Sequence, residues 1–320
     1  MVSDKKSLSK KPLISINEFD ALFERLKNWG KWGADDEKGT LNYITPQRVV
    51  KAAALVKSGR SVSMAIPIDK VAGPDNAHPA IHYMALTHDI DMGSEGLGYA
   101  TDFLGMQFHG DCHTHMDSLC HVSYKGLLYN GVPVSKVSVT GARRLDVTAY
   151  AHGIVGRGVM IDVPRFRGVK WLEPGEAVTA DEIIAIEKAQ GVRLEPGDIM
   201  LLRTGQHRRR TEKGPWVVGE EGEGRAGIDP YCLELLHERQ VAAFLPEGDG
   251  EVFPETVEGM RSPIHVLQIT AMGMFVADSL QLDELAAVCE EEKRFEFFVA
   301  VAPLRLPGGT GCPFNPIALF

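Results

Sequence analysis

Residues that can bind a metal ion are concentrated in one short stretch of the chain, residues 109–121. These thirteen residues read His-Gly-Asp-Cys-His-Thr-His-Met-Asp-Ser-Leu-Cys-His and hold four histidines and two aspartates. Imidazole and carboxylate groups are the ligands that borderline divalent ions such as Zn²⁺ and Mn²⁺ accept in proteins. The stretch therefore predicts a divalent metal site, Zn or Mn, with a proton-transfer group beside it.

Strand geometry limits which of these side chains can meet. In an extended segment alternate side chains share a face, so His113, His115 and Asp117 point the same way, and Asp111 joins them if the extension reaches that far back. A straight strand rises roughly 3.3 Å per residue and cannot bring all of them onto one ion. The chain must therefore bend, and Gly110 is the residue best able to permit the bend.

The second half of the stretch resembles a known family signature. The segment His115-Met-Asp117-Ser-Leu-Cys-His121 is similar to the H-x-D-x-P-x-H half of the H-x-G-T-H-x-D-x-P-x-H motif of the cyclase family, with Leu119 in place of the proline. That family includes bacterial kynurenine formamidases, isatin hydrolases and some lactam hydrolases. The resemblance implies that His115 and Asp117 bind the metal ion and that His121 is the catalytic histidine.

The third ligand is not matched directly by this motif. His113 stands where the family has glycine, and Asp111 stands where it has the first histidine. His113 is the first choice for the third ligand, and Asp111 and His109 are the alternatives.

A second region near the end of the chain also resembles the family. In the family, a histidine and a later Glu-Asn-Leu supply a second metal half-site. His265 of this chain matches that histidine. Asp278 stands in the glutamate position, but it is one methylene shorter and one residue further along. The expectation is one tightly held ion, with His265 as a ligand or as a donor to the substrate oxygen, and with Asp278 holding an imidazole in place.

Other segments indicate where the substrate pocket lies and which further residues are candidates for the site. Residues 29–42 resemble the W-G-x-x-D-E-x-G-x-x-N opening of many family members, and residues 197–205 resemble its G-D-x-x-L-x-R-T-G segment. Trp29, Trp32 and Phe108 are predicted to form apolar walls for a flat substrate. The acidic loop after a short predicted strand at residues 241–245 offers Asp249 and Glu251, because loops at strand ends often carry site residues.

Strand and helix signals alternate unevenly and predict a mixed α+β fold. A helix is predicted over residues 16–29, another begins at Thr45-Pro46, and a capping box at residues 179–182 begins a third. Residues 61–68 and 154–163 are predicted strands. The resemblance implies the swivelling β/β/α cyclase fold, with mixed sheets and packed helices. We expect a mobile tail at residues 1–15 and a single domain over residues 16–320.

Composition excludes several classes of protein. The chain of 320 residues carries a net charge of −9, which argues against a nucleic-acid partner. Its five cysteines form no CxxC pair and are expected to be reduced thiols in a cytoplasmic protein. Cys112 and Cys120 fall on the opposite face of an extended run and are not expected to be ligands. Neither a signal-peptide pattern nor an apolar run of ~20 residues is found, so no membrane partner is expected.

The expected function is that of a metal-dependent hydrolase acting on a small molecule. We predict cleavage of an amide C–N bond in a cyclic amide, lactam, imide or N-formyl amine, with His121 as the general base. The alternatives are a lactone or ester hydrolase, a polyketide cyclase on the same metal site, or a non-catalytic metal-binding protein. The resemblance further implies a homodimer or a dimer-based oligomer.

Overall fold

A nine-stranded mixed sheet forms the centre of the computed structural model, which describes residues 12–89, 96–219 and 224–320. In chain order the strands are β1 Ser61–Ser63, β2 Ile81–Leu86, β3 Thr101–Gly105, β4 His115–Asp117, β5 Val137–Ser138, β6 Gly141–Ala142, β7 Ile154–Asp162, β8 Ala177–Val178, β9 Ile199–Arg203, β10 Gly227–Ile228, β11 Ala243–Pro246, β12 Phe275–Asp278, β13 Glu296–Val301, β14 Gly311–Pro313 and β15 Ile317–Leu319. The α-helices are α1 Ile16–Leu26, α2 Pro46–Ala53, α3 Val163–Arg167, α4 Ala180–Gln190, α5 Gln206–Lys213, α6 Cys232–Glu238, α7 Pro263–His265 and α8 Asp283–Glu292. The predicted α+β class is confirmed.

The sheet has a parallel centre and antiparallel flanks. Its order is β1-β15-β13-β7-β9-β11-β12-β4-β14, and the strands β7, β9, β11 and β12 run parallel. Every residue of β9, β11 and β12 is buried, as expected for parallel strands covered on both faces. The short strand β4 lies between β12 and β14 and is antiparallel to both. Residues from distant parts of the chain thus meet at β4.

Helix α1 shows how sequence determines one covering layer. Ser15 caps the helix in a capping box with Glu18, and the buried positions Phe19, Leu22 and Leu26 repeat at helical spacing. Full burial of a large apolar side chain contributes roughly 1.5–3 kcal/mol. The apolar face packs in a core with residues of β7, β9 and α6, on one side of the sheet. A second core, which contains Phe275 and residues of β13, fills the other side.

Several local predictions are confirmed with small shifts at the ends. Thr45 caps α2 and accepts a hydrogen bond from the backbone of Arg48, and Thr179 caps α4 in the same way. The helix predicted to reach residue 29 ends at Leu26, and the strand predicted over 61–68 covers only three residues. Residues 1–11 of the predicted tail lie outside the described residues, and Ile14 pairs with Val257.

Strands β2 and β3 form a separate two-stranded ribbon. Among the described strands they pair only with each other, and large apolar side chains on them are exposed.

Within residues 12–89, 96–219 and 224–320, no helix is both long and apolar enough to cross a lipid bilayer.

Candidate metal centre

Strand β4 places two of the predicted ligands inside the protein. His115, Met116 and Asp117 are all buried, and alternation along the strand puts His115 and Asp117 on one face. On the neighbouring strand, Asp278 lies opposite His115. On the other side Gly311 lies opposite Asp117, where a β-carbon would collide with the carbonyl of Met116. The close approach of β14 therefore requires glycine at that position.

A first donor set consists of His109, His115 and Asp117. Nδ1 of His109 lies 2.9 Å from Oδ1 of Asp117, and Nε2 of His115 lies 3.6 Å from the same oxygen. Ligands of one tetrahedral ion, each about 2.0–2.1 Å from it, stand roughly 3.3 Å apart. The Nδ1–H of His115 donates to the carbonyl of His113 at 2.9 Å, which leaves its Nε2 lone pair free for an ion.

A second donor set consists of Asp117, His265 and Asp278. Nε2 of His265 lies 3.0 Å from Oδ2 of Asp278 and 3.7 Å from Oδ2 of Asp117. On the far side of the ring, Nδ1 of His265 donates to Oε1 of Glu251 at 2.9 Å. Asp117 therefore belongs to both sets, with Oδ1 facing the first and Oδ2 facing the second.

Unpartnered polar atoms show that these residues suit a cation. Both carboxylate oxygens of Asp117, Oδ1 of Asp278 and Nδ1 of His109 are buried and form no hydrogen bond with any described residue. Nδ1 of His109 and Oδ1 of Asp117 thus approach to 2.9 Å without hydrogen-bond geometry. Buried polar atoms without a partner are costly. A divalent ion held by these atoms would remove that cost, so the donor sets fit the predicted metal.

Electrostatics keep the shared carboxylate ionised. Burial alone would raise the pKa of Asp117, but contact with His109 and the nearby imidazoles of His121, His115 and His265 hold it well below its usual range. An ionised Asp117 is the form that can bind a metal ion.

His121 lies beside the donor sets and belongs to neither. Its Nε2 is 3.8 Å from Oδ2 of Asp117, and its ring stacks on that of His109 with centroids 3.9 Å apart. Burial lowers the pKa of His121 to about 4, against the opposing effect of Asp117. The imidazole is therefore neutral near pH 7 and able to accept a proton.

The structure does not bring His113 into either donor set, whereas His109, one of the two alternatives, lies in the first. Nε2 of His113 lies 3.1 Å from the carbonyl of Asp69, and its Nδ1 lies 3.2 Å from Sγ of Cys112. The alternation argument fails because β4 begins only at His115. The bend expected at Gly110 is the sequence feature that indicates His109, because a bend at Gly110 brings His109 back to the site.

Two other ligand candidates have different partners. Asp111, the other alternative, forms an ion pair with Arg225 at 2.7 Å. Asp249 pairs with the same arginine, whereas Glu251 orients His265. Sequence reasoning ranked both acids equally, because their loop position alone does not distinguish them.

Of the residues predicted to form the pocket walls, Phe108 lies beside the site and Trp29 does not. The Phe108 ring lies 4.6 Å from that of His109. The Trp29 indole instead donates to the carbonyl of Thr270 at 2.7 Å and packs at the edge of Phe23, so it supports the N-terminal helix. A cleft adjoins His109, and its lining includes His78, Gln107, His113, Val217, Val218 and Arg261.

Comparison with known families and proteins gives one family match. The Cyclase family model matches residues 62–248, which is more than half of the chain. No curated protein matches this chain. Among solved structures, one described as a novel cyclase is 31% identical, with a TM-score of 0.81, and the match covers 92% of this chain and 100% of that chain.

Isatin hydrolases are more distant structural relatives. Isatin hydrolase A from Ralstonia solanacearum is 19% identical with a TM-score of 0.58, covering 86% of this chain and 97% of that one. Isatin hydrolase A from Labrenzia aggregata, bound to benzyl benzoate, is 22% identical with a TM-score of 0.56, covering 85% and 97%. At these identities the likeness shows a shared fold.

Proposed function

Because the chain belongs to the cyclase family, we propose that it is a metal-dependent hydrolase that cleaves an amide C–N bond in a small molecule. The substrate would be a cyclic amide, lactam, imide or N-formyl amine. The observation that carries the proposal is the buried Asp117, whose two unpartnered oxygens face two donor sets beside a neutral histidine. The fold shared with isatin hydrolases supports the choice of a cyclic amide, since isatin contains one.

The donor sets would hold a divalent ion, Zn²⁺ or Mn²⁺, through Asp117 and the imidazoles around it. When bound, such an ion polarises a carbonyl and lowers the pKa of water to about 7. Hydrogen bonds from His115 to the carbonyl of His113 and from His265 to Glu251 fix the proton on Nδ1 of each ring. Both Nε2 atoms are thereby directed at the site before any ion arrives.

His121 would transfer a proton during the reaction. Its neutral imidazole takes a proton from the attacking water as the new C–O bond forms. The same proton is then delivered to the leaving nitrogen as the C–N bond breaks, which yields a carboxylic acid and an amine. Loss of such a group typically costs 10²–10⁴-fold in rate. Part of the His121 side chain remains exposed, so a substrate can reach it.

We also propose that the enzyme works on its small-molecule substrate in the cytoplasm. Five buried thiols and no disulfide among the described residues agree with a reducing compartment. A homodimer is the proposed assembly.

The proposal is tested by metal analysis together with a screen of matched amides and esters. His115→Ala and Asp117→Ala should each lose metal and activity together, because both residues are proposed ligands. His152→Ala removes an exposed histidine outside the donor sets and serves as the control. Full metal content in both ligand variants would refute the assignment. Turnover of esters alone would favour a lactone or ester hydrolase, and an inert but metal-loaded protein would favour a non-catalytic role.

A further inference from the structure

Arg225 lies between two segments that support the candidate metal centre. Its Nη2 donates to Oδ1 of Asp111 at 2.7 Å, and its Nη1 contacts Oδ2 of Asp249. Asp111 follows His109 by two residues, and Asp249 precedes Glu251 by two residues. One guanidinium thus joins the segment of the first donor set to the loop that orients the histidine of the second.

The backbone of Arg225 is fixed on the side of the second donor set. Its N–H donates to the carbonyl of Phe253 at 3.0 Å, and its own carbonyl accepts the N–H of Phe253 at 3.2 Å. At Gly224 a β-carbon would collide with the carbonyl of Phe253, so the close approach of these two segments requires glycine there. Arg225 therefore stands at a set distance from the loop that carries Glu251.

The segment that carries His109 has no comparable backbone support. Residues 106–113 form no backbone–backbone hydrogen bond with any described residue. Side-chain contacts hold the segment instead, and they include Thr310 with His109 at 2.9 Å and Arg225 with Asp111 at 2.7 Å. Charge-assisted hydrogen bonds are shorter and stronger than neutral ones. The ion pair at Asp111 is therefore expected to contribute much of what holds this segment.

We propose that Arg225 is a positioning residue that holds the segments of both donor sets in place for metal binding. It belongs to neither set, and it acts through Asp111 on His109 and through Asp249 on Glu251. The second route is continuous, since Oδ1 of Asp249 accepts the backbone N–H of Glu251 at 3.1 Å. Outer partners of this kind fix the orientation of metal ligands.

Arginine suits this position better than lysine. Its planar guanidinium presents several N–H donors in a fixed fork, whereas the ammonium group of lysine is a compact point charge. Loss of the guanidinium would leave Asp111 and Asp249 without their counter-charge, and the Asp249 side chain is only 15% exposed. A partly buried carboxylate without a partner is costly, so both carboxylates should move and displace their segments.

This inference rests on the metal centre of the proposed function and not on the bond that is cleaved. Titration of the metal-free full chain with Zn²⁺ or Mn²⁺ against a competing chelator tests it without any substrate. Arg225→Gln should weaken metal binding about 10–100-fold, the typical result of losing an outer partner. Arg225→Lys should fall between this variant and the unmodified chain.

The two carboxylates give a further test of the same contacts. Asp111→Asn and Asp249→Asn should each weaken metal binding less than Arg225→Gln does. In the Arg225→Gln background they should add little further loss, because residues that act through one contact are not additive. Full additivity would overturn the proposal.

Arg157→Gln is the matched control for general loss of stability. Arg157 also pairs with two carboxylates, Asp198 at 2.8 Å and Glu296 at 2.6 Å, but it lies outside both donor sets. Weaker metal binding should therefore appear in Arg225→Gln and not in Arg157→Gln. Unchanged metal affinity in Arg225→Gln, or an equal loss in the control, would overturn the proposal.

Alkylation of Cys112 in the metal-free protein gives a test that needs no metal. This thiol is 3% exposed and lies in the segment next to Asp111. In Arg225→Gln the segment should open more often, and Cys112 should react with N-ethylmaleimide faster by on the order of tenfold. The buried Cys289 in α8 serves as the internal reference.

The alkylation result separates this inference from the proposed function. An unchanged rate at Cys112 would overturn the role of Arg225, whether or not the chain binds metal. Absence of metal binding in the unmodified chain would instead refute the proposed function, and faster alkylation in the variant would then still support Arg225 as the residue that holds the segment.

Discussion

Glu251 holds His265 at two points, since Oε1 of the carboxylate accepts the backbone N–H and the Nδ1–H of His265, both at 2.9 Å. The other oxygen, Oε2, accepts the backbone N–H of Ile264 at 3.1 Å. One buried carboxylate thus fixes the orientation of the ring and the position of its proton. The Nε2 atom is left facing Asp278.

Glu251→Gln should weaken metal binding without removing a ligand. The amide cannot accept all three hydrogen bonds, so the His265 ring should lose its fixed orientation. Loss of such an outer partner typically costs 10–100-fold in metal affinity or activity. Titration with a competing chelator would measure the change, with the exposed Glu258→Gln as the control. Unchanged affinity would show that Glu251 does not orient a ligand.

His121→Ala should separate catalysis from metal binding. We expect near-normal metal content and a fall in kcat of about 10²-fold or more, as for loss of a general base. Metal analysis and steady-state kinetics on the same preparation would decide the outcome. A variant that loses its metal would identify His121 as a ligand.

His109→Ala and His113→Ala should differ from each other. His109 belongs to the first donor set, so its removal should lower metal occupancy. His113 contacts the carbonyl of Asp69 and should retain the metal when replaced. Elemental analysis of both variants compares the two assignments directly. The reverse pattern would restore His113 as the third ligand.

The number of bound ions remains a prediction, and the structure favours two ions where the sequence favoured one. Sequence reasoning favoured one ion because Asp278 is shorter than the family's glutamate. The strand pairing nevertheless places Oδ2 of Asp278 3.0 Å from Nε2 of His265 and within the second donor set. We therefore expect two anomalous scattering peaks about 3.5–4 Å apart in crystals grown with excess metal. A single peak at full occupancy would support the original expectation.

Asp198 should make the stability of the protein depend on pH. Burial raises the pKa of this carboxyl to about 7, although Arg157 opposes the shift. Because the folded-state pKa exceeds that of the unfolded chain, the folded state binds the proton more tightly. The stabilisation is present below about pH 4 and is lost as pH rises through about 7, a change on the order of 2–4 kcal/mol.

Denaturant titrations at mildly acidic and mildly alkaline pH would measure this dependence. Asp198→Asn should flatten it, because an amide does not titrate in this range. The amide oxygen can still accept the hydrogen bonds from Glu195 and Arg157, so the local structure should be kept. An unchanged pH profile in the variant would assign the dependence to another group.

Local elements of the fold were predictable because nearby residues determine them. The predicted caps at Thr45 and Thr179 each involve a partner three residues away. The alternation on β4 placed His115 and Asp117 on one face correctly.

The rest of the site depends on contacts between distant parts of the chain. Pairing of β4 with β12 and β14 brings Asp278 and Gly311 beside it, and no local pattern indicates that order. Whether His109 or His113 lies within a donor set depends on where the strand begins, which tertiary pairing decides. Glu251 is distinguished from Asp249 only by its contact with His265.

The two donor sets differ in chemical hardness. Around the shared Asp117, the first set adds two imidazole nitrogens and the second adds one imidazole and a further carboxylate. Nitrogen-rich sites suit zinc, whereas additional carboxylate oxygens favour harder ions such as manganese. Each set would then favour its own ion. A chain supplied with both ions would be expected to hold zinc in the first set and manganese in the second.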